Sequence, residues 1–220
     1  MKLLLVRHGN TFEAGETPVR VGANEDMPLT AAGEAQAHAL AASLKEAAIR
    51  PDVFVTGPLR RTRRHTEILM MGLGVAGAAE TDPRLTEIDY GPWGGLSDTE
   101  IVARFGPAAA RELNAWEKES RWPSETATWS PGAAAVADNV KNLCRELEAR
   151  LGPEGLALVC SSNGILRYFL ELTPEGLAGH QSQARAKMST GAMSMLDMAD
   201  GIARVLFWNA KAGTSLPVIP

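Results

Sequence analysis

The chain has 220 residues, 45% of them hydrophobic, and a formal net charge of −4. That length and apolar content suit a globular protein with one large core or two small ones, and the acidic balance argues against nucleic acid and membrane surfaces as partners. No apolar run approaches the ~18 residues of a membrane span, and Cys144 and Cys160 lack metal-ligand or scaffold spacing, so a reduced, cytoplasmic compartment is expected.

Taken in chain order, Lys2–Val6 reads as a buried strand closed by a glycine turn, Arg7-His8-Gly9. In open α/β sheets ligands collect outside the carboxyl ends of strands. An imidazole there can attack phosphorus while a guanidinium holds phosphate oxygens; a surface turn that happens to hold Arg and His leaves the same trace. Phe12–Pro28 is polar and aperiodic, a long loop. A helix follows from the N-cap Thr30, with Glu34 nearby, to Ala48, and its Ala35, Ala39, Ala42 and Leu44 give a mostly small apolar face.

The second strand, Asp52–Thr56, leads into Gly57-Pro58-Leu59-Arg60-Arg61-Thr62-Arg63-Arg64-His65-Thr66 and a helix over Leu59–Met71. A solvated helix face accounts for Arg60, Arg63 and Arg64, yet a guanidinium beside the N–H groups of a helix start also makes an anion site. Further helices are expected over Ser97–Phe105, Pro107–Lys118, Ala133–Leu151 and Ile165–Glu171, and strands over Leu156–Ser161, Ala192–Leu196 and Ala203–Trp208. The last two strands are close enough to form a hairpin. This alternation predicts an α/β fold: a single three-layer domain over 1–220, with a mostly parallel sheet and helices on both faces. An excursion around 97–131, ending in Glu119–Pro131, is expected over the active site, and Ser215–Pro220 reads as a loose tail.

Two more segments bear chemistry. Glu87, in Leu85-Thr86-Glu87-Ile88-Asp89-Tyr90-Gly91-Pro92-Trp93, has apolar and aromatic neighbours that suit proton donation to a leaving oxygen, although loop carboxylates are commonly just solvated. The turn Ser161-Ser162-Asn163-Gly164 repeats the strand-to-helix logic, with hydroxyls and an amide that serve equally as caps. Trp93, Trp122 and Trp129 are either pocket walls for an apolar or ring-bearing leaving group or core and loop anchors. His38 and His65 read as helix-surface or satisfied side chains; His180 has no assigned place.

Together these pieces resemble the histidine phosphatase superfamily, also called the phosphoglycerate mutase-like family. Arg7-His8-Gly9-Asn10-Thr11 is similar to its Arg-His-Gly-x-Thr signature. Asp26-Met27-Pro28-Leu29-Thr30 with Gly33 and Gln36, Pro58-Leu59-Arg60-Arg61-Thr62, and Leu85-x-Glu87 with Gly91-x-Trp93-x-Gly95-Leu96 follow in the family's order. The resemblance implies His8 as nucleophile, Glu87 as proton donor, and Arg7 and Arg61 as phosphoryl clamps. It adds Ser162 and Asn163 as phosphate-binding residues and Asn10 and Thr11 as further contacts, with no metal and no cofactor. The chain departs from the pattern where the family's second histidine falls at Ser162 with Asn163 beside it, where an expected asparagine falls at Ala14, and where Pro131-Gly132 is followed by three alanines.

The expected function is a phosphomonoesterase that hydrolyses a small phosphorylated metabolite through phosphohistidine, slow or specialised because Ser162 carries no charge. The alternatives are a cofactor-dependent phosphoglycerate mutase, disfavoured because Glu119–Pro131 offers only Arg121 as an added cation, and a pseudo-phosphatase that binds phosphate or a partner without turnover.

Overall fold

A run of four consecutive aliphatic residues fits a strand only where both of its faces are covered. Leu3, Leu4, Leu5 and Val6 meet that condition: each is fully buried. In the computed structural model, which describes residues 1–181 and 186–214, they lie in β1 (Lys2–Arg7). The other strands are β2 (Val53–Thr56), β3 (Glu80–Thr81), β4 (Leu156–Ser161), β5 (Met193–Ala199) and β6 (Ile202–Ala210), and the sheet order is β3-β2-β4-β1-β5-β6. β1, β2, β3 and β4 are parallel, with Val6 opposite Cys160 and Arg7 opposite Ser161. β5 is antiparallel to β1, and β6 returns on β5 as a hairpin. The sheet is therefore mostly parallel. β3 went unanticipated because both of its residues are exposed and polar, leaving no apolar signal.

Successive side chains of a strand point to opposite faces. Leu4 and Val6 pack with α1 (Ala31–Glu46) and α2 (Arg60–Leu73), while Leu3 and Leu5 pack with α3 (Asp98–Glu119) and α4 (Ala133–Leu151). The expected face of α1 needs correction, since Ala35, Ala39 and Ala42 are exposed. Its buried stripe is Gly33, Ala37, Leu40, Ala41 and Leu44, the positions that share one side at 3.6 residues per turn. α2 outlasts its expected end by two residues and stops at Gly74, whose φ of 71° suits a left-handed cap. α3 is broken at Gly106 (φ 78°) into the two helices the sequence suggests. The expected helix Ile165–Glu171 is instead α5 (Asn163–Leu166), one turn long, continued by the 3-10 segment Arg167–Leu172; a short α6 (Gly176–Gln181) follows. Ser215–Pro220 lies outside the described residues.

The 119–131 segment folds back on α3 because Glu112 gathers its backbone. The Glu112 carboxylate accepts the N–H groups of Ser124, Glu125 and Thr126 and the Thr126 hydroxyl. Trp129 then becomes the hub of an aromatic cluster, with ring centroids 4.9 Å from both Tyr90 and Trp116, 5.4 Å from Trp122 and 5.5 Å from Trp93. Of the two readings of Trp93, Trp122 and Trp129, core anchoring is the one realised.

The start of α1 lies against the turn after β1 at the distance of two bare backbones. A Cβ on Gly33 would stand 2.2 Å from the Asn10 carbonyl oxygen, and one on Gly9 would stand 2.3 Å from that of Gly33. Helix propensity alone predicts that Gly33→Ala gains ~0.5–1 kcal/mol. We predict the reverse, a loss of about 1–3 kcal/mol from overpacking against backbone that cannot yield, measured by urea unfolding. A stabilised Gly33→Ala would show that the turn moves freely away from the helix.

Candidate active site

β1 and β4 end side by side, so their outgoing turns meet: the His8 N–H donates to the Ser161 carbonyl at 3.2 Å. The carboxyl ends of these strands open onto a cavity of about 780 Å³ whose lining includes Arg7, His8, Asn10, Thr11, Glu87 and Asn163. Six of the eight residues singled out from the sequence thus share one cavity. Arg61 and Ser162, both 1% exposed, lie behind that lining.

His8 is buried, and its Nδ1 lies 2.7 Å from the Gly9 carbonyl oxygen. That contact makes Nδ1 the protonated nitrogen and leaves Nε2 with its lone pair. Burial, then Arg61, then Arg7 push the His8 pKa well below its ordinary value, keeping the imidazole neutral. Arg7 donates Nη1 to the Met188 carbonyl at 2.5 Å, while its buried Nε has no hydrogen-bond partner among the described residues.

Arg61 has a role that sequence reading did not assign. It donates to the carbonyl oxygens of Glu25 (2.8 Å), Gly22 (3.0 Å) and Val21 (3.5 Å), and its Nε reaches the Ser162 hydroxyl at 3.4 Å. The guanidinium therefore ties the 12–28 loop to the end of β4. Arg60, Arg63 and Arg64 are exposed as expected, with Arg64 paired to Glu34 at 2.6 Å.

Glu87 is buried between two backbone donors, Ile88 N–H at 2.9 Å and Gly164 N–H at 3.1 Å. A Cβ on Gly164 would come within 2.2 Å of the Glu87 carboxyl, so glycine there is a steric requirement of the acid's position. Asn163 accepts the Met188 N–H on its side chain at 2.9 Å, and Asn10 accepts the Thr190 hydroxyl. Among the described residues no group of three or more His, Cys, Asp or Glu is placed to hold a metal ion, and no helix is long and apolar enough to cross a membrane.

Several participants escaped the sequence reading. The cations added over the cavity come from Arg20 and Lys187 rather than from 119–131, where Arg121 pairs with Glu119 at 3.1 Å. Tyr90 and Trp116 line the cavity in place of Trp122 and Trp129. His180 hydrogen-bonds the Thr173 hydroxyl at 3.1 Å. His65 is fully buried, neither a surface residue nor satisfied: its Nδ1 accepts the Gly9 N–H at 3.0 Å, while Nε2 has no hydrogen-bond partner among the described residues. Its spacing from Arg61 on α2, i and i+4, was the available clue.

Burial lowers the His65 pKa to about 3. The unfolded chain holds imidazole near pH 6.5, so between these values the unfolded state binds the extra proton. Stability is then full above about pH 6.5 and declines as pH falls toward 3, by up to ~1.4 kcal/mol per pH unit for each such histidine. We predict that His65→Asn, which keeps an acceptor for Gly9, flattens the acid limb of the stability curve by about one proton. Urea melts at about pH 4.5 to 6.5 measure this; an unchanged slope would place the titration elsewhere.

Residues 3–211 match the sequence model of the histidine phosphatase superfamily (branch 1). A protein described as probable phosphoglycerate mutase GpmB of Yersinia enterocolitica is 27% identical over 202 residues, covering 90% of this chain and 85% of that protein. Among solved structures, mycobacterial glucosyl-3-phosphoglycerate phosphatase superposes with a TM-score of 0.77 at 23% identity, over 96% of this chain and 99% of that one. The α-ribazole phosphatase of Shigella flexneri gives 0.70 at 21% identity, over 96% and 98%. The structural likenesses fix the fold, the match along 3–211 fixes the kinship, and the chain belongs to the histidine phosphatase superfamily.

Proposed function

We propose that this protein is a phosphomonoesterase working through a phosphohistidine at His8. One observation carries the reading: a buried, neutral imidazole whose Nδ1 is fixed on the Gly9 carbonyl presents Nε2 beside two arginines. In the first step His8 Nε2 attacks phosphorus, the bond to the leaving oxygen breaks, and protonated Glu87 gives that oxygen its proton. In the second, Glu87 takes a proton from water as the water oxygen attacks phosphorus. The N–P bond then breaks, and phosphate leaves with the imidazole neutral again. Arg7 offsets the charge on the equatorial oxygens from the cavity wall, and Arg61, whose guanidinium is held on the loop carbonyls, adds its positive charge from behind. Arg7 Nε, a buried donor without a partner among the described residues, suits that task. Ser162 and Asn163 follow the end of β4, and Asn10 and Thr11 follow the end of β1 beside it.

The substrate is expected to be a small phosphorylated metabolite. No metal enters the scheme, because the positive field comes from guanidinium groups. Cytoplasmic residence belongs to the same reading; Cys144 and Cys160 are both buried as free thiols.

We predict that His8→Ala abolishes phosphate release and that an acid-labile phosphoryl group can be trapped on the wild-type chain, with EDTA leaving the rate unchanged. Full activity in His8→Ala, or a loss in EDTA that magnesium or zinc restores, would overturn the scheme. Retained phosphate binding without release from any phosphomonoester would instead make the protein a binding module. Ser162→Ala should cost about 0.5–1.5 kcal/mol, the net worth of one neutral hydrogen bond, and so at most roughly tenfold in rate. A loss on the scale of His8→Ala would give Ser162 a larger role. Ser162→His, where the family has its second histidine, should raise the rate.

A further inference from the structure

Beyond the phosphate end, the cavity is walled by charges that answer one another. Arg20, from the 12–28 loop, donates Nη2 and Nε to Asp98 Oδ1 at 2.8 and 3.1 Å and Nη1 to Glu117 Oε1 at 3.1 Å. Lys187 Nζ holds the other Glu117 oxygen at 2.6 Å. Glu117 thus bridges two cations with one oxygen for each. Glu13 and Glu16 add two more carboxylates to the lining, so four carboxylates face two cations in this outer part. Both cations are already committed to acids.

We propose, on the footing of the phosphomonoesterase reading, that this outer chamber selects the leaving group by charge: it takes a hydroxyl- or ammonium-bearing alcohol and rejects one that carries a second anionic group. A carboxylate or second phosphate on the leaving group must displace Glu117 from Arg20 and Lys187. That leaves a partly covered carboxylate, with a side-chain exposure of 34%, unpaired beside a new anion. Burying a charge without its partner is costly, and two like charges at this separation add to the cost. A hydroxyl or ammonium group meets the opposite situation, because carboxylate oxygens accept the hydrogen bonds it donates. The same asymmetry separates hydrolysis from mutase chemistry, since a mutase must retain a bisphosphate between its half-reactions.

Glycerol 3-phosphate and 3-phosphoglycerate form a matched pair, differing only in a terminal CH2OH or carboxylate. At one ionic strength the wild-type kcat/KM for glycerol 3-phosphate should exceed that for 3-phosphoglycerate by about tenfold or more, with phosphoethanolamine also accepted. Glu117→Gln should narrow the gap several-fold by raising the 3-phosphoglycerate value. Asp98→Asn, on a side chain 64% exposed and so safe for folding, should narrow it in the same sense. Equal or better turnover of 3-phosphoglycerate by the wild type overturns the proposal, as does a ratio unmoved by both substitutions. Calorimetry of the same pair on His8→Ala separates charge selection from turnover. Tighter binding of glycerol 3-phosphate by His8→Ala, with no phosphate release from any of these esters by the wild-type chain, sustains the charge selection and defeats the hydrolytic reading. Equal or reversed affinities defeat the charge selection, whatever the turnover, and absence of binding to both defeats the two together.

Discussion

The parallel pairing of β1 with β4 is the constraint on which the candidate site depends. Because Arg7 stands opposite Ser161, the next residue on each strand, His8 and Ser162, leaves the sheet at the same level. A slip of one residue would turn Leu4 and Val6 toward the wrong layer, and both are fully buried. The hydrophobic pattern of four aliphatic residues therefore sets, at one remove, where an imidazole meets its neighbours. The Gly9–Gly33 contact and the His65 imidazole then hold the turn from the other side.

Electrostatics give this arrangement its chemical character. Three arginines, Arg7, Arg61 and Arg167, are held close to Glu87 and Tyr90, and burial lowers the pKa of each. Arg167 stacks 3.8 Å over the Trp116 ring and donates to the Trp116 carbonyl and the Ser120 hydroxyl. Such a cluster is tolerable only because carbonyls, hydroxyls and an aromatic face replace most of the lost water. What remains is a fixed positive field, in which Arg7 Nε and Arg167 Nη2 have no hydrogen-bond partner among the described residues. In the same field a cationic imidazole is unfavourable, and His8 stays neutral.

Much of this was legible in the residues because periodicity and turn chemistry are local signals. The strand Lys2–Val6, the break between the helices flanking Gly106, and the family order of His8, Arg61 and Glu87 needed only neighbours in sequence. What escaped depended on distant partners. The buried face of α1 is set by α2 and the sheet, and its abundant alanines mark no side by themselves. His65 looked like a helix residue until Gly9 supplied the N–H that it accepts. Arg20, Asp98, Glu117 and Lys187 are separated along the chain, and each alone reads as a solvated charge; only the fold makes them one network. The sequence marks Arg61 only as a cation at a helix start, whereas its carbonyl contacts to Val21, Gly22 and Glu25 follow from the loop's path.

Those carbonyl contacts bear on how the protein can diverge. Arg61 fastens the 21–25 part of the wall, and the backbone of Arg20 is fastened in turn to Leu96 and Gly95. Residues 13–18 form an exposed tip, in which the Glu16 carboxylate accepts the Glu13 N–H at 2.7 Å. Drift at 61 is penalised twice, in the wall and beside His8, while drift at the tip or at 97–99 touches neither strand end. The architecture is modular in the sense that matters for ancestry: rim positions can change while the residues at the ends of β1 and β4 keep their places.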